Sequence, residues 1–472
     1  MLIRYSYNFL FIILVSSLIF SVDYVSTGSF GAVALNGKIY NQLSLKPEIT
    51  HGKLGIGLDL YIYIDENGEI YEDSWDFSDS KSTLRTLLDK IYYVRWGQPY
   101  DKFYFKAGAL DTYTLGHGIL VNNYSNIIER PQIRRIGLNM KYRLNDKIKF
   151  EYFQSDFKRS PGLIAFGVGF DLMPRTVVKV NYATDLNQNS RLEELTTKYD
   201  RESLEEYYNL IDHYVGMNMT FDEFFEMYEL NASGNKDQVS GFSIGVDYRL
   251  AHNIVLYSEY AQLIGMTTKS PIDDTEQKLG SGIIPLGLGV NFGRGSFNIE
   301  YRKTLSDNFI FNYWNRSYDV ERCIKVDEGV SYTKESTLNR FGDMEGLFAN
   351  FSYDVLKVMN FSIGYQDMQG SLWNDDSQEY EEDNSKTFLS TITINPSLIP
   401  KVKKAQIFYQ SSNVPNPFEI AKPSSSTIHG YDIGLEVSTG VVVIYKARTT
   451  YRLEDGEYEP IKTMELETQF IF

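Results

Sequence analysis

The sequence predicts an all-β chain, folded as a membrane-spanning, antiparallel, up-and-down β-barrel of about 18 strands, with about 16 as the alternative count. Three observations predict it. Hydrophobic residues recur at every second position along many segments. The links between those segments alternate between very short and long. No run of about 20 apolar residues exists, so membrane helices are excluded while tilted strands are not.

The composition agrees with β-structure: Tyr 36 and Phe 29 far outnumber Trp 4, and Gly is plentiful at 35. Mean hydropathy is only -0.30, as alternation would make it. A formal charge of -16 speaks against a nucleic-acid partner, whose phosphates require a basic face, and suits a solvated acidic surface. Cys323 is the single cysteine, so no internal disulfide can form.

From the N-terminus, Arg4 precedes an apolar run from Phe9 to Phe20, with Ser16, Ser17 and Ser21 near its end. That is the layout of a secretory signal over residues 1–21. Residues 22–35 are rich in Gly, Ser and Val and commit to nothing, and 38–45 looks like a short strand ending before Pro47. The clearest alternation follows, with Leu54, Ile56, Leu58, Leu60, Ile62 and Ile64 on one face. Gly55, Gly57, Asp59, Tyr61 and Tyr63 fall on the other. Such a length crosses a bilayer when tilted, whereas soluble strands run to about five or six residues.

Strands are expected at 53–64, 90–96, 101–109, 132–143, 147–156, 162–171, 175–183, 239–249 and 253–263. They continue at 283–292, 295–304, 345–354, 358–367, 386–395, 402–411, 428–438, 441–451 and 460–472. Tight links such as Asn145-Asp146, Met173-Pro174, Gly293-Arg294-Gly295 and Thr439-Gly440 join hairpins. Long polar links fall at 65–88, 111–131, 184–238, 264–281, 305–344, 368–385 and 411–428. Tight turns at one rim and long loops at the other are what transmembrane barrels show. Within 184–238, Thr220 and Glu223 form a capping box before Phe224, and Leu204, Tyr207, Tyr208 and Ile211 have helical spacing. This loop is expected to be a small acidic helical cap.

The last segment places Met464, Leu466, Phe470 and Phe472 on one side and Glu465, Glu467 and Gln469 on the other. This ending resembles the terminal strand of Gram-negative outer-membrane β-barrel proteins, which closes the barrel. The resemblance implies an outer-membrane location with lipid around the barrel, short periplasmic turns and long extracellular loops. It also implies recognition of Phe470 and Phe472 by the barrel assembly machinery. On this reading residues 22–52 are a lumenal or periplasmic N-terminal segment and 53–472 the barrel.

An aqueous bore is expected at this strand number. Turning the polar faces inward makes Arg95, Lys106, Arg135, Lys141, Arg143, Lys149 and Lys179 a basic run of pore-lining residues. Asp59, Asp432, Glu436, Glu465 and Glu467 form an acidic group near the seam, with Lys446, Arg448 and Arg452 between. The resemblance to porins implies a transverse field across the bore; cross-strand ion pairs in the wall are the structural alternative. The stretch 110–126 is too apolar for an outer loop and is a candidate constriction. It offers Asp111, Gly116, His117, Gly118, Asn122, Asn123, Tyr124 and Asn126, with packing against the rim as the alternative.

No enzyme is expected: the five His residues are scattered, and no His/Cys spacing suits a metal. No cofactor is expected either. Asp65, Asn67, Glu69 and Glu72 could hold calcium, although Asn67-Gly68 fits a plain hairpin turn. The functional expectation is a porin-like channel for passive diffusion of small hydrophilic solutes. A plugged surface-binding or structural barrel, or a barrel enzyme, stays open.

Overall fold

The computed structural model describes all residues except 1–22, 36–37, 72–74, 131–132, 158–161, 191–207, 209–219, 222–236, 266–267, 274, 328–329, 356–357, 395–400, 420, 455–456 and 472. One antiparallel sheet closes on itself. Its strands are β1 (Asp23–Leu35), β2 (Lys38–His51), β3 (Leu54–Leu58, continuing past Asp59 as Leu60–Ile64), β4 (Ile91–Trp96) and β5 (Phe103–Gly108). Next come β6 (Gly137–Arg143), β7 (Ile148–Gln154), β8 (Leu163–Met173), β9 (Thr176–Asp185) and β10 (Val239–Ala251). Then follow β11 (Ile254–Gly265), β12 (Ser281–Phe292), β13 (Gly295–Thr304), β14 (Phe341–Val355) and β15 (Met359–Asn374). The last five are β16 (Glu379–Ile394), β17 (Val402–Val414), β18 (Ile428–Ser438), β19 (Val441–Glu454) and β20 (Glu457–Ile471).

Each strand pairs with its neighbours in sequence, and β1 closes the ring on β20 from Thr27↔Ile471 to Val33↔Glu465. The barrel therefore has 20 strands, not the 18 or 16 expected. The two extra strands lie in 22–52, which is wall and not a separate lumenal or periplasmic segment. The segment 38–45 alone would break the even strand number, but β1 restores it. Sequence hides β1 because Gly28, Ser29, Gly31 and Ala32 give both faces small residues, leaving Phe30 as its one strong outward mark, 54% exposed.

Alternation decides the two faces. On β10, Ile244, Val246, Tyr248 and Leu250 are exposed while Ser243 and Gly245 face inward and are buried. On β20, Met464, Leu466 and Phe470 point out, 41–45% exposed, and Glu467 is fully buried. Soluble folds place these faces the other way round. Aromatics mark both ends of the outward belt: on β10, Phe242 and Tyr248 lie six positions apart, about 20 Å along a strand, with Ile244 and Val246 between. A continuous apolar jacket edged by aromatics fits hydrocarbon and is unstable in water.

Tight turns gather at one rim, such as 174–175, 252–253, 293–294 and 439–440, together with the start of β1 and the end of β20. Long links lie at the other rim, as expected, with one correction. The link expected at 368–385 is only 375–378, because β15 and β16 run for 16 residues each. The link 65–90 contains helix α1 (Ser80–Asp89), started by Asp79, whose carboxylate accepts the Ser82 N–H at 3.0 Å. The helical cap expected within 184–238, like the signal at 1–21, falls largely outside the described residues. Tyr208 and Phe221 are helical there, with rings 5.6 Å apart. No described helix is long and apolar enough to cross a membrane.

Candidate functional site

Two links do not stay at the rim. The described residues of 109–136, between β5 and β6, and of 305–340, between β13 and β14, fold into the bore and form a septum. The first carries Leu110, Tyr113, Leu115, Ile119, Leu120, Val121 and Tyr124, all under 5% exposed. The second carries Phe309, Phe311, Tyr313, Trp314 and Tyr318, all under 4% exposed. Both join one hydrophobic cluster with inward wall residues such as Phe153, Ala165, Ala183 and Ala261. The septum is thus the apolar core of the molecule, and it sits inside the barrel.

Backbone hydrogen bonds tie the loops together: Trp314 N–H donates to Leu120 O at 3.0 Å and Asn122 N–H to Trp314 O at 3.0 Å. Within the first loop Tyr113 and Tyr124 bridge as a hairpin. Asn126 clamps its base: its Oδ1 accepts the Leu110 N–H at 2.8 Å, and its Nδ2 donates to Gly108 O and Ser155 O. Tyr113 stacks on Phe153 of β7 at 4.0 Å. The tip is latched at His117, whose ring stacks on Tyr257 at 3.7 Å. His117 Nε2 meets Asp247 at 2.5 Å, and its backbone N–H donates to Glu259 at 3.0 Å. Gly116 adopts φ +63°, and a Cβ there would stand 2.5 Å from the Glu259 carboxylate, so only glycine seats this tip.

The septum is also held by buried charges. Arg135 pairs with Glu129 at 2.6 Å and Asp319 at 3.3 Å, and Tyr124 Oη donates to Asp319 at 2.7 Å. Arg322 meets Asp185 of β9 at 2.9 Å, and Tyr318 Oη donates to the same carboxylate at 2.7 Å. Buried pairs are costly to form and costlier to half-remove, so they fix geometry more than they add stability.

On the short-turn side of the septum lies a polar cavity of about 1030 Å³. Its walls come from β1–β4 and β14–β20, and its ceiling includes Asp111, Asn122, Asn123, Arg130, Arg134 and Arg316. Arg134 bonds Asp59 at 2.5 Å and Tyr63 Oη at 3.0 Å, and lies 3.7 Å over the Tyr61 ring. Arg316 packs 5.0 Å from the Phe408 ring, and burial pushes its guanidinium down to about 10 despite Asp111. Burial likewise lowers Arg130. A second cavity of about 290 Å³, lined by His117, Tyr257, Asn298 and Glu300, shares Thr114, Asn122 and Asn350 with the first.

Among the residues singled out in sequence, Asp59, Asp432, Lys446, Arg448 and Glu465 line the large cavity. Lys446 bonds Glu465 at 2.9 Å and Glu467 at 3.0 Å, and Lys46 also pairs with Glu467. Asp432 meets Lys404 at 2.7 Å and Arg448 at 3.6 Å, and Glu436 meets Lys403 at 3.1 Å. Opposite charges at the seam are therefore neighbours along the wall. Lys446 meets Glu465 and Glu467, and Asp432 meets Lys404 and Arg448, on adjacent strands, while Lys46 of β2 reaches Glu467 of β20 across β1. The Arg452 side chain lies outside the described set.

On the early strands Lys141 pairs with Glu151 at 3.8 Å, Lys149 with Asp171 at 3.5 Å and Lys179 with Asp247 at 2.7 Å. Arg95 and Arg143 donate to the carbonyls of Gly97 and Tyr100, and Lys106 lies 5.7 Å over the Tyr93 ring. Arg135 is the exception: it precedes β6, is 1% exposed and belongs to the septum's anchor. In 110–126, Asp111, Asn122 and Asn123 line the large cavity and Gly116 and His117 the smaller one. Gly118, Tyr124 and Asn126 are buried.

Sequence reasoning missed the second inward loop, Lys46, Lys404 and the three ceiling arginines. The run Phe309-Ile310-Phe311-Asn312-Tyr313-Trp314 gives the same signal that singled out 110–126: aromatics where an outer loop should be polar. The Asp65 carboxylate accepts the N–H groups of Asn67 and Glu69 at 2.9 and 2.8 Å, the geometry of an ordinary turn, and Glu72 lies outside the described residues. Among the described residues no acidic, His or Cys group is arranged for a metal.

What these features define is a class: a closed β-barrel with an apolar jacket, an internal septum and a polar vestibule beneath it. Neither a family model nor a curated sequence matches the chain. Solved structures similar to it include Pseudomonas aeruginosa OccK5 (OpdH), at 8% identity and TM-score 0.36, covering 96% of this chain and 97% of that one. P. aeruginosa OpdQ is similar at 10% identity and TM-score 0.35, covering 96% of each chain. Acinetobacter baumannii OccAB4 is similar at 10% identity and TM-score 0.32, covering 96% and 97%. The barrel itself stands on the strand pairings above.

Proposed function

We propose that this protein is a porin-like channel of a Gram-negative outer membrane, passing small hydrophilic solutes by passive diffusion. The observation that carries the reading is the pairing of an apolar exterior with a charged vestibule of about 1030 Å³ inside the wall. A barrel built only as scaffold has no need of a cavity lined by arginine, lysine and carboxylates, whose desolvation opposes folding. The outward Met464, Leu466 and Phe470 support recognition by an assembly machinery; Phe472 lies outside the described residues. The reading keeps residues 1–21 as a secretory signal.

The septum favours one competing reading, a plugged surface-binding barrel, because its aromatic core and buried ion pairs resist displacement. Planar-bilayer recording separates the two. A channel gives stepwise conductance after insertion of the purified barrel, and persistent silence with an intact, heat-modifiable barrel supports the plugged form.

A further inference from the structure

The vestibule ends against the septum, and the question is where a solute would pass it. Strand β16 runs from the long-loop rim to the short-turn rim, and β17 returns. Thr391, Gln406 and Phe408 on these strands line the vestibule, while Thr387, Gln410, Ser412 and Asn413 stand farther toward the long-loop rim. These four face Asn122, Asn312 and Asn315 of the septum across a slot of about 10 Å³, close to the room one water needs. The slot shares Asn122 and Leu389 with the vestibule, so it continues from it.

Three features distinguish this slot. None of its lining side chains carries a charge, although the vestibule below is crowded with ions. The wall is irregular here: pairing of β16 with β17 shifts register between Lys386 and Phe388, and Asn413 takes φ +55°. Finally, Gln410 is 2% exposed, its Nε2 donates to Ser317 Oγ at 3.2 Å, and its buried Oε1 has no hydrogen-bond partner. A buried amide oxygen left unmet beside a polar gap is an acceptor aimed at something that donates.

We infer that this slot is the selective constriction of the barrel, a hydrogen-bonding filter for uncharged, hydroxyl-rich solutes such as polyols. Such a solute must part the facing amide side chains to pass, since the slot at rest has room for one water. The inference rests on the channel reading and deepens it. A hydroxyl both donates and accepts, so it can satisfy Gln410 Oε1 and the facing amides in turn. An ion would lose water here without meeting an opposite charge. The vestibule then gathers polar solutes, and the slot sorts them by charge.

Liposome swelling tests this, with glycerol, mannitol and sodium gluconate as probes. For the wild-type barrel, glycerol and mannitol should enter, and gluconate should enter at least tenfold more slowly. Gln410→Ala should raise mannitol entry several-fold, and Ser412→Trp should lower it about tenfold. A Gln410→Cys barrel, its thiol on the slot wall, should lose swelling on treatment with a methanethiosulfonate reagent, while the unsubstituted protein, whose Cys323 does not line the slot, should not. If wild type swells but all three substitutions leave mannitol entry unchanged, solute crosses elsewhere and the slot is refuted while the channel stands. Equal entry of gluconate and mannitol would overturn the preference for neutral solutes. Wild-type liposomes that swell in no probe, with no bilayer conductance, would remove the channel reading itself.

Discussion

The wall and the septum are built on opposite principles. In the wall the backbone pairs with the next strand, interrupted by a bulge such as the one between Lys386 and Phe388, and the outward hydrophobic side chains look away from the protein. In the septum the hydrophobic side chains look at each other, and Trp314, Tyr318 and Tyr124 are fully buried. Charges differ too. Wall charges on the inner face range from about half exposed and loosely paired, as at Lys141 and Lys149, to sealed, as at Arg302 and Glu467. Septum charges, such as Arg322 with Asp185, are sealed. The expectation is that the wall stands without the septum, whereas the septum packs on wall residues such as Phe153 and Ala261 and needs the wall around it.

The largest way to break that contrast is Arg322→Ala. It leaves the Asp185 carboxylate, at 0% side-chain exposure, with neutral donors in place of its cation: the Tyr318 hydroxyl at 2.7 Å and the Asn187 N–H at 3.0 Å. Half-removal of a buried pair costs about 3–5 kcal/mol. The expected result is rapid proteolysis within 305–340 and a larger bilayer conductance, with the β-sheet circular dichroism of the wall unchanged. Loss of the whole barrel instead would show that the septum supports the wall.

Val246→Lys attacks the other partner. It puts a charge in the middle of the outward belt of β10, where a lysine costs about 2–4 kcal/mol. Guanidinium unfolding in phospholipid vesicles should report that loss, with the septum's protease resistance unaffected. No change in vesicles would mean that this face does not meet hydrocarbon.

The smallest effect concerns pH. Glu335 sits in the second inward loop, where burial and the neighbouring Asp237 raise its carboxyl from 4.5 to about 10. Gln188 joins it to the septum, donating to Glu335 Oε2 at 3.4 Å and accepting from Tyr313 Oη at 2.8 Å. A raised carboxyl pKa means that the folded form prefers the proton. Its stabilisation is full below pH 4.5 and lost as pH rises through about 10. Hydrogen exchange in 305–340 should therefore quicken at pH 10 beyond the intrinsic base-catalysed rate, and Glu335→Gln should remove that excess.

The wall was legible because alternation is a local property. All of the strands expected between 53 and 472 recur in the structure, and β3 carries the expected faces on either side of Asp59. β1 was illegible for the same reason: Gly28, Ser29 and Gly31 carry little hydrophobic contrast, and its place depends on β20, at the far end of the chain. The inward turn of 109–136 could be suspected from its apolar residues, but that His117 would end on Tyr257 and Asp247 could not.

The sequence by itself determined the β class, the strand positions over most of the chain, the outward direction of the apolar faces and the two unequal rims. Each of these follows from period two and link length, which are written in adjacent residues. Only the tertiary structure decided the closure at 20 strands, the pairing of charges across the seam, the second loop of the septum and the slot beside it. Those depend on residues such as Lys46 and Glu467 meeting across the whole length of the chain, and no local pattern encodes that meeting.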